Sequence, residues 1–389
     1  MKRKKVSELA KQIRGVSYKP EDLHENLDES SVTLLRANNI FEGRISFDDV
    51  IYVDKSRVAR EQYLCKGDIL VCASSGSKQL VGKAASFNFD TECTFGAFCK
   101  VVRPNQDVAN YLSVYFQSNA YRQKISEVAI GANINNIRNE HIDALELPIG
   151  SNAENEEVVA SFSLLQQIID SRKQQLHKLD KLVKARFVEL FGDPIINPRG
   201  FEKVPLSKLA EIKIGPFGSL LHKEDYIQAG HALVNPSHII DGKISIDSKL
   251  TVSEEKFNEL RAYHLRVGDV VMGRRGEMGR CAVVTENGLL CGTGSLLIRT
   301  NGEVTADYIQ KIISFPSFKK TIEEMAVGQT MPNLNVPIVS RFQIIKPPFE
   351  VQKAYYDFVS QIDKSKAAIQ KALDEAQLLF DSLMQQYFS

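Results

Sequence analysis

The chain has 389 residues, which is enough for two to four domains that each bury a sizeable core. Its 49 basic and 48 acidic side chains give a net charge of +1, and a charged fraction of 25% excludes a disordered polyelectrolyte. Because the chain is not strongly basic, binding to nucleic acid would require positive charge gathered on one face or supplied by partners.

The cysteines and the hydropathy indicate the compartment. No C-x-x-C pair occurs, and no histidine pair has the spacing of zinc ligands, so we expect free, buried thiols in a reducing compartment and no metal site. The basic first residues are followed by no apolar segment, and no run of about 18 apolar residues occurs. These features predict a cytoplasmic protein with no signal peptide and no membrane contact. The cysteines are Cys65, Cys72, Cys93, Cys99, Cys281 and Cys291.

Residues 1–150 favour a first globular domain of short strands and turns with a few helices. Alternating apolar residues from Leu34 to Val53, interrupted by Glu42-Gly43, predict strands joined by tight turns. A strand beginning at Gly67 leads into a polar loop at residues 73–78. Helical spacing runs from Val108 to Val128 and predicts a helix near the end of this domain.

A long helix is predicted next, over residues 151–192. From about Asn155 to Phe191 there is no glycine or proline, and apolar side chains recur every seven residues, which predicts a coiled coil of about 55 Å. Gly192 and Pro194 are expected to end the helix. The seam consists of Phe162, Ile169, Leu176, Val183 and Leu190, with Leu165, Arg172, Leu179 and Arg186 beside them.

Residues 193–349 repeat the first domain. Glu42-Gly43-Arg44-Ile45-Ser46 recurs as Asp241-Gly242-Lys243-Ile244-Ser245, and Lys66-Gly67-Asp68-Ile69-Leu70 recurs as Val267-Gly268-Asp269-Val270-Val271. Near the end of each copy, residues 131–137 parallel residues 328–334. A duplication of this length predicts two copies of one module that perform one task on two targets.

Residues 350–389 form a second spacer helix whose seam matches that of the first after a shift of 193 residues. Two matching seams predict an antiparallel coiled-coil pair, with the two domains at opposite ends and a pseudo-two-fold axis between them. The alternative is that each helix packs separately on its own domain. The expected fold class is α+β, with two similar globular domains separated by two long helices. The second seam consists of Tyr355, Ile362, Ile369, Ala376 and Leu383, with Phe358, Ser365, Ala372 and Leu379 alongside.

No catalytic motif is recognisable. The glycine-rich stretch from Gly76 to Ala84 fails the P-loop pattern, because it has one residue too many and no serine or threonine after the lysine. Lys346-Pro347-Pro348-Phe349 resembles the [DNS]-P-P-[YF] tetrad of amino-methyltransferases, but its lysine offers no acceptor for the target amino group. The histidines are scattered and show no triad spacing. The sequence therefore favours a binding protein.

The repeated motifs, in this order around two long helices, resemble the specificity (S) subunit of Type I restriction–modification enzymes over essentially the whole chain. The motifs that carry the resemblance are Gly215-Pro216-Phe217-Gly218-Ser219 with Lys223-Glu224-Asp225-Tyr226, Gly268-Asp269-Val270 with Gly273-Arg274-Arg275-Gly276, Gly328-Gln329-Thr330-Met331-Pro332-Asn333-Leu334-Asn335, and Leu190-Phe191-Gly192-Asp193-Pro194.

The resemblance implies a non-catalytic, DNA-binding function. Each domain would be a target-recognition domain for one half of a split DNA site, and the helices would dock two methyltransferase subunits. S-adenosylmethionine and ATP with Mg²⁺ would be bound by the modification and restriction subunits, and no cofactor or metal by this chain. We also hypothesise that the helices set the gap between the half-sites. Two alternatives stay open: a two-headed scaffold for proteins, or an S-like region with its own methylase or nuclease activity.

The loops of the two domains differ, which suggests different half-sites. The first domain has Cys72-Ala73-Ser74-Ser75-Gly76 where we align Met272-Gly273-Arg274-Arg275-Gly276 in the second. Arginine forks onto guanine or a phosphate, and amides pair with adenine edges. The candidate DNA contacts are Ser74, Ser75, Ser77, Lys78, Asn133, Asn135 and Asn136 in the first domain, and Arg274, Arg275, Arg280, Gln329, Asn333 and Asn335 in the second.

Overall fold

A computed structural model describes residues 2–77, 80–128, 135–326 and 333–388, except for the side chain of Asn135. The chain divides into two compact units, which we call unit 1 (Met1–Leu176 with Ala367–Ser389) and unit 2 (His177–Lys366). Both boundaries between the units lie inside the long helices. Each unit therefore contains one globular domain and a segment of both helices.

Unit 1 holds fourteen short strands and four short helices in its described part, together with the first segment of a long helix. The strands are β1 (Lys2–Lys5), β2 (Ala10–Arg14), β3 (Leu23–His24), β4 (Ser31–Leu35), β5 (Ile40–Phe41), β6 (Arg44–Ile45), β7 (Ile51–Asp54), β8 (Asp68–Cys72), β9 (Ser74–Ser75), β10 (Ala84–Phe87), β11 (Cys93–Phe95), β12 (Cys99–Pro104), β13 (Asn135–Asn136) and β14 (Glu146–Ile149). The helices are α1 (Val6–Leu9), α2 (Ala109–Tyr115), α3 (Asn119–Val128), α4 (Asn139–Asp143) and α5 (Asn152–Phe191).

Unit 2 repeats most of this succession, with twelve strands in its described part and no strand pair there that corresponds to β9 with β13. Its strands are β15 (Glu202–Pro205), β16 (Ala210–Ile214), β17 (Tyr226–Ile227), β18 (His231–Val234), β19 (Ile239–Ile240), β20 (Lys243–Ile244), β21 (Thr251–Val252), β22 (Val270–Gly273), β23 (Cys281–Val283), β24 (Leu290–Cys291), β25 (Ser295–Thr300) and β26 (Gln343–Lys346). Its helices are α6 (Leu206–Leu209), α7 (Glu254–Glu259), α8 (Ala306–Ile313), α9 (Pro316–Met325), α10 (Val336–Ser340) and α11 (Phe349–Phe388).

The sheet topology confirms the internal repeat. Unit 1 has two four-stranded sheets, with strand orders β10-β8-β12-β2 and β11-β4-β7-β3. Unit 2 has the same orders, β23-β22-β25-β16 and β24-β18-β21-β17. In both units the pairing with the strand at one edge, β11 with β4 and β24 with β18, is parallel while the other pairings are antiparallel. Two sequences with different loops thus build one frame.

The single helix expected from Val108 to Val128 is instead two helices, α2 and α3. The chain turns at residues 116–118, where the Ser118 hydroxyl accepts a hydrogen bond from the backbone N–H of Tyr121 at 3.1 Å. A serine that caps the next helix competes with continuation of the first, so the apolar spacing persists across a break. Buried tyrosine hydroxyls then anchor α2 and its counterpart α8. Tyr111 donates to the Pro148 carbonyl at 2.8 Å, and Tyr308 donates to the Ile345 carbonyl at 2.9 Å.

The long helices α5 and α11 pack antiparallel in each unit, as the seams predict. In unit 1 the ring of Phe162 meets Phe380 at 5.2 Å and 78°, and in unit 2 Phe187 meets Tyr355 at 5.6 Å and 77°. The earlier part of α5 thus contacts the later part of α11, and the reverse holds in unit 2. These two ring pairs are related by the same shift of 193 residues as the seams.

The seam residues are buried or half-buried within the chain, with two exceptions in the second row of α11. Ser365 is exposed, and Leu379 is 50% exposed while its neighbour Phe380 makes the contact with Phe162. Gly192 ends α5 with φ of +73°, the left-handed conformation that glycine favours. Of the helices in the described ranges, none has the length and apolar character needed to cross a membrane.

Candidate nucleic-acid interface

In unit 1 the structure brings two predicted loop regions together. β9 (Ser74–Ser75) pairs antiparallel with β13 (Asn135–Asn136), and the backbone N–H of Ile137 donates to the Ala73 carbonyl at 2.8 Å. Ser74 and Ser75 are half-buried, whereas Ser77 and Asn136 are exposed. Lys78 and Asn133 lie outside the described residues, as does the side chain of Asn135. The residues that can be placed form one polar surface at the end of β8.

Unit 2 builds the corresponding surface around Arg274. The Arg274 Nε donates to the Asn333 Oδ1 at 3.1 Å and to the Leu334 carbonyl at 3.2 Å, and the Leu334 N–H donates to the Arg274 carbonyl at 2.9 Å. These bonds fix the guanidinium through Nε, and its two terminal amino groups donate no hydrogen bond to any residue in the described ranges. Partial burial and the charge of Arg275 lower the pKa of Arg274 from its usual value.

The other candidate side chains of unit 2 differ in the hydrogen bonds and ion pairs that they make within the chain. Arg275 is exposed and has no hydrogen bond or salt bridge to any residue in the described part of the chain. Arg280 is paired with Glu277 at 2.5 Å and donates to the Pro236 carbonyl at 3.2 Å. The Asn335 side chain caps α10 by accepting from the Ile338 N–H at 3.0 Å. Gln329 lies outside the described residues.

The pair formed by Glu277 with Arg280 extends to a third residue. Lys319 of α9 also contacts Glu277, at 3.1 Å, and the hydrogen bonds from Arg280 and Lys319 lower the pKa of the Glu277 carboxyl. Two of the positive charges beside the surface are thereby partly neutralised. Among the described residues, neither Arg274 nor Arg275 has an acidic partner, so their positive charges are not neutralised there.

The structural equivalence of the two loops corrects the alignment made from sequence by one residue. Cys72 pairs with Cys99 in unit 1, and Gly273 pairs with Ser295 in unit 2, so Cys72 and Gly273 are equivalent. Ala73 therefore occupies the position of Arg274, not of Gly273. The sequence alignment placed Gly76 opposite Gly276. The strand pairing instead places Cys72 opposite Gly273, and it is the pairing that fixes the register.

Arg299, a further arginine of unit 2, pairs with a buried aspartate of the sheet and is not part of the candidate surface. Its Nε and Nη2 donate to both carboxylate oxygens of buried Asp269, at 2.8 and 2.7 Å. Unit 1 has the same bidentate pair, Arg103 with Asp68, at 2.7 and 2.6 Å. In each unit the hydrogen bond with the aspartate raises the pKa of the arginine. The ion pair joins β8 to β12 in unit 1, and the residue directly before β22 to β25 in unit 2.

The seam residues of the long helices, which the sequence offers both as spacer and as partner-docking residues, mostly face the interior of their units. A heptad search finds side chains that pack against the partner helix and passes over exposed apolar residues outside the seam. Such residues are identifiable in the sequence as apolar positions outside the seam. Those exposed in the structure are Leu164, Ile168, Leu182, Val188, Phe349 and Leu378, together with Leu379 of the seam.

Comparison of the sequence with known proteins finds similarity to DNA-specificity proteins of Type I restriction enzymes. The model of the Type I restriction modification DNA specificity domain matches residues 198–377. The specificity subunit of the Type I restriction enzyme EcoKI from Escherichia coli (strain K12) is 27% identical over 402 residues, covering 98% of this chain and 86% of that protein. The StySPI specificity subunit from Salmonella potsdam is 38% identical over 180 residues, covering 46% of this chain and 39% of that protein.

Solved structures share the fold over the full length. The S subunit of a Type-I restriction-modification system from M. genitalium aligns with a TM-score of 0.57 at 15% identity, covering 100% of this chain and 96% of that one. A chain from a structure concerned with complex assembly and conformational transition of the type I R-M system aligns with a TM-score of 0.62 at 15% identity, covering 99% and 97%.

The matches define a class of protein, the DNA-specificity components of Type I restriction–modification systems. Within that class the chain is similar to the specificity (S) subunits. The resemblance seen in the motifs is thereby confirmed.

Proposed function

We propose that this chain recognises a bipartite DNA site for a Type I restriction–modification complex, with unit 1 and unit 2 each contacting one half-site. The carrying observation is that one loop arrangement occurs twice with different side chains. Serine and asparagine occupy it in unit 1, and arginine and asparagine occupy it in unit 2. Two units with the same fold and different contact residues suit a DNA site whose two halves differ in sequence.

The side chains in unit 2 support two roles. Arg275 is exposed and unpaired within the described residues, so it is suited to a phosphate contact. Arg274 is held at Nε by Asn333 and Leu334, which orients its terminal nitrogens as a fixed fork for a guanine edge or a phosphate. In unit 1, Ser74, Ser75 and Asn136 supply neutral hydrogen-bonding groups.

The helices supply the proposed surface for partners. Two methyltransferase subunits dock on the exposed apolar residues of α5 and α11, such as Leu164, Ile168 and Leu378. S-adenosylmethionine is bound by those subunits, and ATP with Mg²⁺ by the restriction subunits. The complex acts in the cytoplasm, where its DNA is found.

The proposal is tested by the salt dependence of binding. The methylated site is first mapped by sequencing methylated adenines in cells that contain the complex. We expect Arg275→Ala in the assembled methyltransferase to weaken binding and to reduce the slope of log affinity against log salt by about 0.9, because one phosphate contact is lost. Arg274→Ala should also cost about 1 to 3 kcal/mol against the cognate second half-site.

Arg266→Ala is the matched control. Arg266 is exposed and belongs to the same unit, but it precedes β22 whereas Arg274 and Arg275 follow that strand. Its loss should leave affinity and slope unchanged. If the complex shows no preference for the mapped duplex over scrambled DNA, the proposed function is wrong. If it shows that preference but Arg275→Ala binds like the wild type, only the role of Arg275 is wrong.

A further inference from the structure

One large aromatic side chain lies beside the candidate surface of unit 1 and belongs to none of the predicted contacts. Phe98 is 71% exposed, although it is flanked by buried residues of β11 and β12. An exposed phenyl ring forgoes most of the stabilisation, about 1.5 to 3 kcal/mol, that full burial of such a side chain brings. The ring makes no close contact with another described aromatic ring.

The backbone of Phe98 is fixed to the loop that carries Ser74 and Ser75. Its carbonyl accepts hydrogen bonds from the backbone N–H groups of Ala73 at 2.9 Å and Ser74 at 3.0 Å. On the other side, the neighbouring Ala97 N–H donates to the Val16 carbonyl at 2.9 Å. The exposed ring is thus mounted on a rigid backbone directly beside the polar surface, and ordering it on binding costs little backbone entropy.

The equivalent position in unit 2 is Gly294, whose carbonyl accepts from the Arg274 N–H at 3.0 Å. A Cβ atom at Gly294 would lie 3.0 Å from the Cδ of Pro236, so this position has little room for a side chain. At these two neighbouring positions, the large side chain is therefore on one loop in unit 1 and on the other loop in unit 2. Unit 1 pairs Ala73 with Phe98, whereas unit 2 pairs Arg274 with Gly294. In each unit one long side chain projects from the same pair of loops.

We infer that Phe98 is a specificity-determining contact of unit 1, which reads its half-site by apolar contact with a base where unit 2 uses Arg274. The inference rests on the proposed DNA-recognition function and extends it. The contacted group is apolar base surface, either the 5-methyl group of a thymine or the face of a base at an opened step. The polar neighbours Ser74 and Asn136 supply the hydrogen bonds beside it.

The test uses the assembled methyltransferase on duplexes that carry the mapped site. Phe98→Ala should lower affinity for the cognate duplex by about tenfold, at the lower end of what one base contact contributes. It should leave affinity for a duplex with a scrambled first half-site unchanged. The slope of log affinity against log salt should not change, because a phenyl ring releases no counterions. Phe98→Leu should retain part of the affinity.

Phe41→Ala is the control. Phe41 is 63% exposed in the same unit, but its hairpin is joined to α5 by an ion pair between Arg44 and Asp170. Its loss should leave DNA binding unchanged. Thermal melting of both variants checks that each is folded. Replacing thymidine by deoxyuridine in the first half-site identifies the contacted group: a loss seen with wild type but not with Phe98→Ala assigns the methyl group, and no loss assigns a base face.

Wild-type affinity in Phe98→Ala, or an equal loss on scrambled DNA, would overturn the inference. So would a change in the salt slope, which would indicate an effect on phosphate contacts. A wild-type complex that does not distinguish the mapped duplex from scrambled DNA would instead refute the proposed function, so the two failures can be told apart.

Discussion

Units 1 and 2 share the strand order of their two four-stranded sheets and the bidentate ion pair between arginine and aspartate, yet their exposed loops differ in chemistry. The shared part is buried: Asp68 and Asp269 occupy the same place, and Tyr111 and Tyr308 make the same hydrogen bond. The different part is at the ends of β8 and β22. Burial constrains the frame because every change in volume or polarity there costs stability, whereas exposed loops tolerate substitution. A duplicated module can thus retain its fold while its two copies acquire different targets.

Truncation of an aromatic ring between the long helices should cause the largest loss of stability, and the loss should be confined to one unit. Phe162→Ala should destabilise unit 1, and Tyr355→Ala unit 2, by about 3 to 5 kcal/mol each, because each change removes a buried ring from a T-shaped contact. Hydrogen exchange measured by mass spectrometry resolves the two units, and protection should fall chiefly in the unit that lost its ring.

Leu164→Ala is the control on α5, since Leu164 is 59% exposed and its truncation should change stability by no more than about 0.5 kcal/mol. Equal loss of protection in both units from either aromatic variant would mean that the units do not unfold separately.

The helices were predictable from sequence because a heptad depends only on the spacing of apolar residues. Phe162 and Tyr355, picked as seam positions, are buried where that spacing places them. Leu379 was predicted in the seam but is half-exposed, because α11 turns Phe380 inward at that level. A larger ring one position away can displace a leucine from the seam, and periodicity alone does not weigh side-chain size.

The buried ion pairs give the next largest effect. Arg103→Leu and Arg299→Leu each leave an aspartate carboxylate without its bidentate partner, and the aspartates are almost fully buried. We expect a loss of about 2 to 3 kcal/mol in each case, below the full cost of an isolated buried charge because the arginines reach solvent. Urea denaturation followed by circular dichroism measures the loss.

The conservative variants Arg103→Lys and Arg299→Lys sharpen the comparison. Lysine keeps the charge but not the planar fork, so each should recover part of the lost stability. Unequal losses in the two units would show that the duplicated pair no longer has the same role in both copies. Recovery to wild-type stability by lysine would show that charge, and not geometry, is what the frame requires.

The loops were less predictable than the frame. The pattern Gly-Asp followed by apolar residues located β8 and β22, but the alignment of their loops was wrong by one position. The repeated Gly-Asp motifs already imply the correct register, because Cys72 follows Asp68 at the same distance as Gly273 follows Asp269, and the strand pairing confirms it. Phe98 was not singled out because its neighbours Ala73 and Ser74 are distant in sequence and meet it only in the folded sheet.

Replacement of His24, which has no histidine at the equivalent position in unit 2, should have the smallest effect on stability. His24 of β3 lies 3.0 Å from Asp28 and 3.5 Å from Asp54, whereas the equivalent residue of β17, by strand pairing, is Ile227. The hydrogen bond with Asp28, with a further contribution from Asp54, raises the pKa of His24 above its usual 6.5. A raised pKa in the folded state means that the protonated ring stabilises the fold.

That stabilisation should be complete below pH 6.5 and should disappear as the pH rises through the raised pKa of His24. His24→Gln should therefore have a lower urea midpoint than the wild type at pH 6 and the same midpoint at pH 8.5, with a small difference because exposed pairs contribute little. His177→Gln, on the exposed side of α5, should match the wild type at both values. A gap between His24→Gln and the wild type that persists at pH 8.5 would assign the effect to packing of the ring, and the difference in pH response between the two units would then have another source.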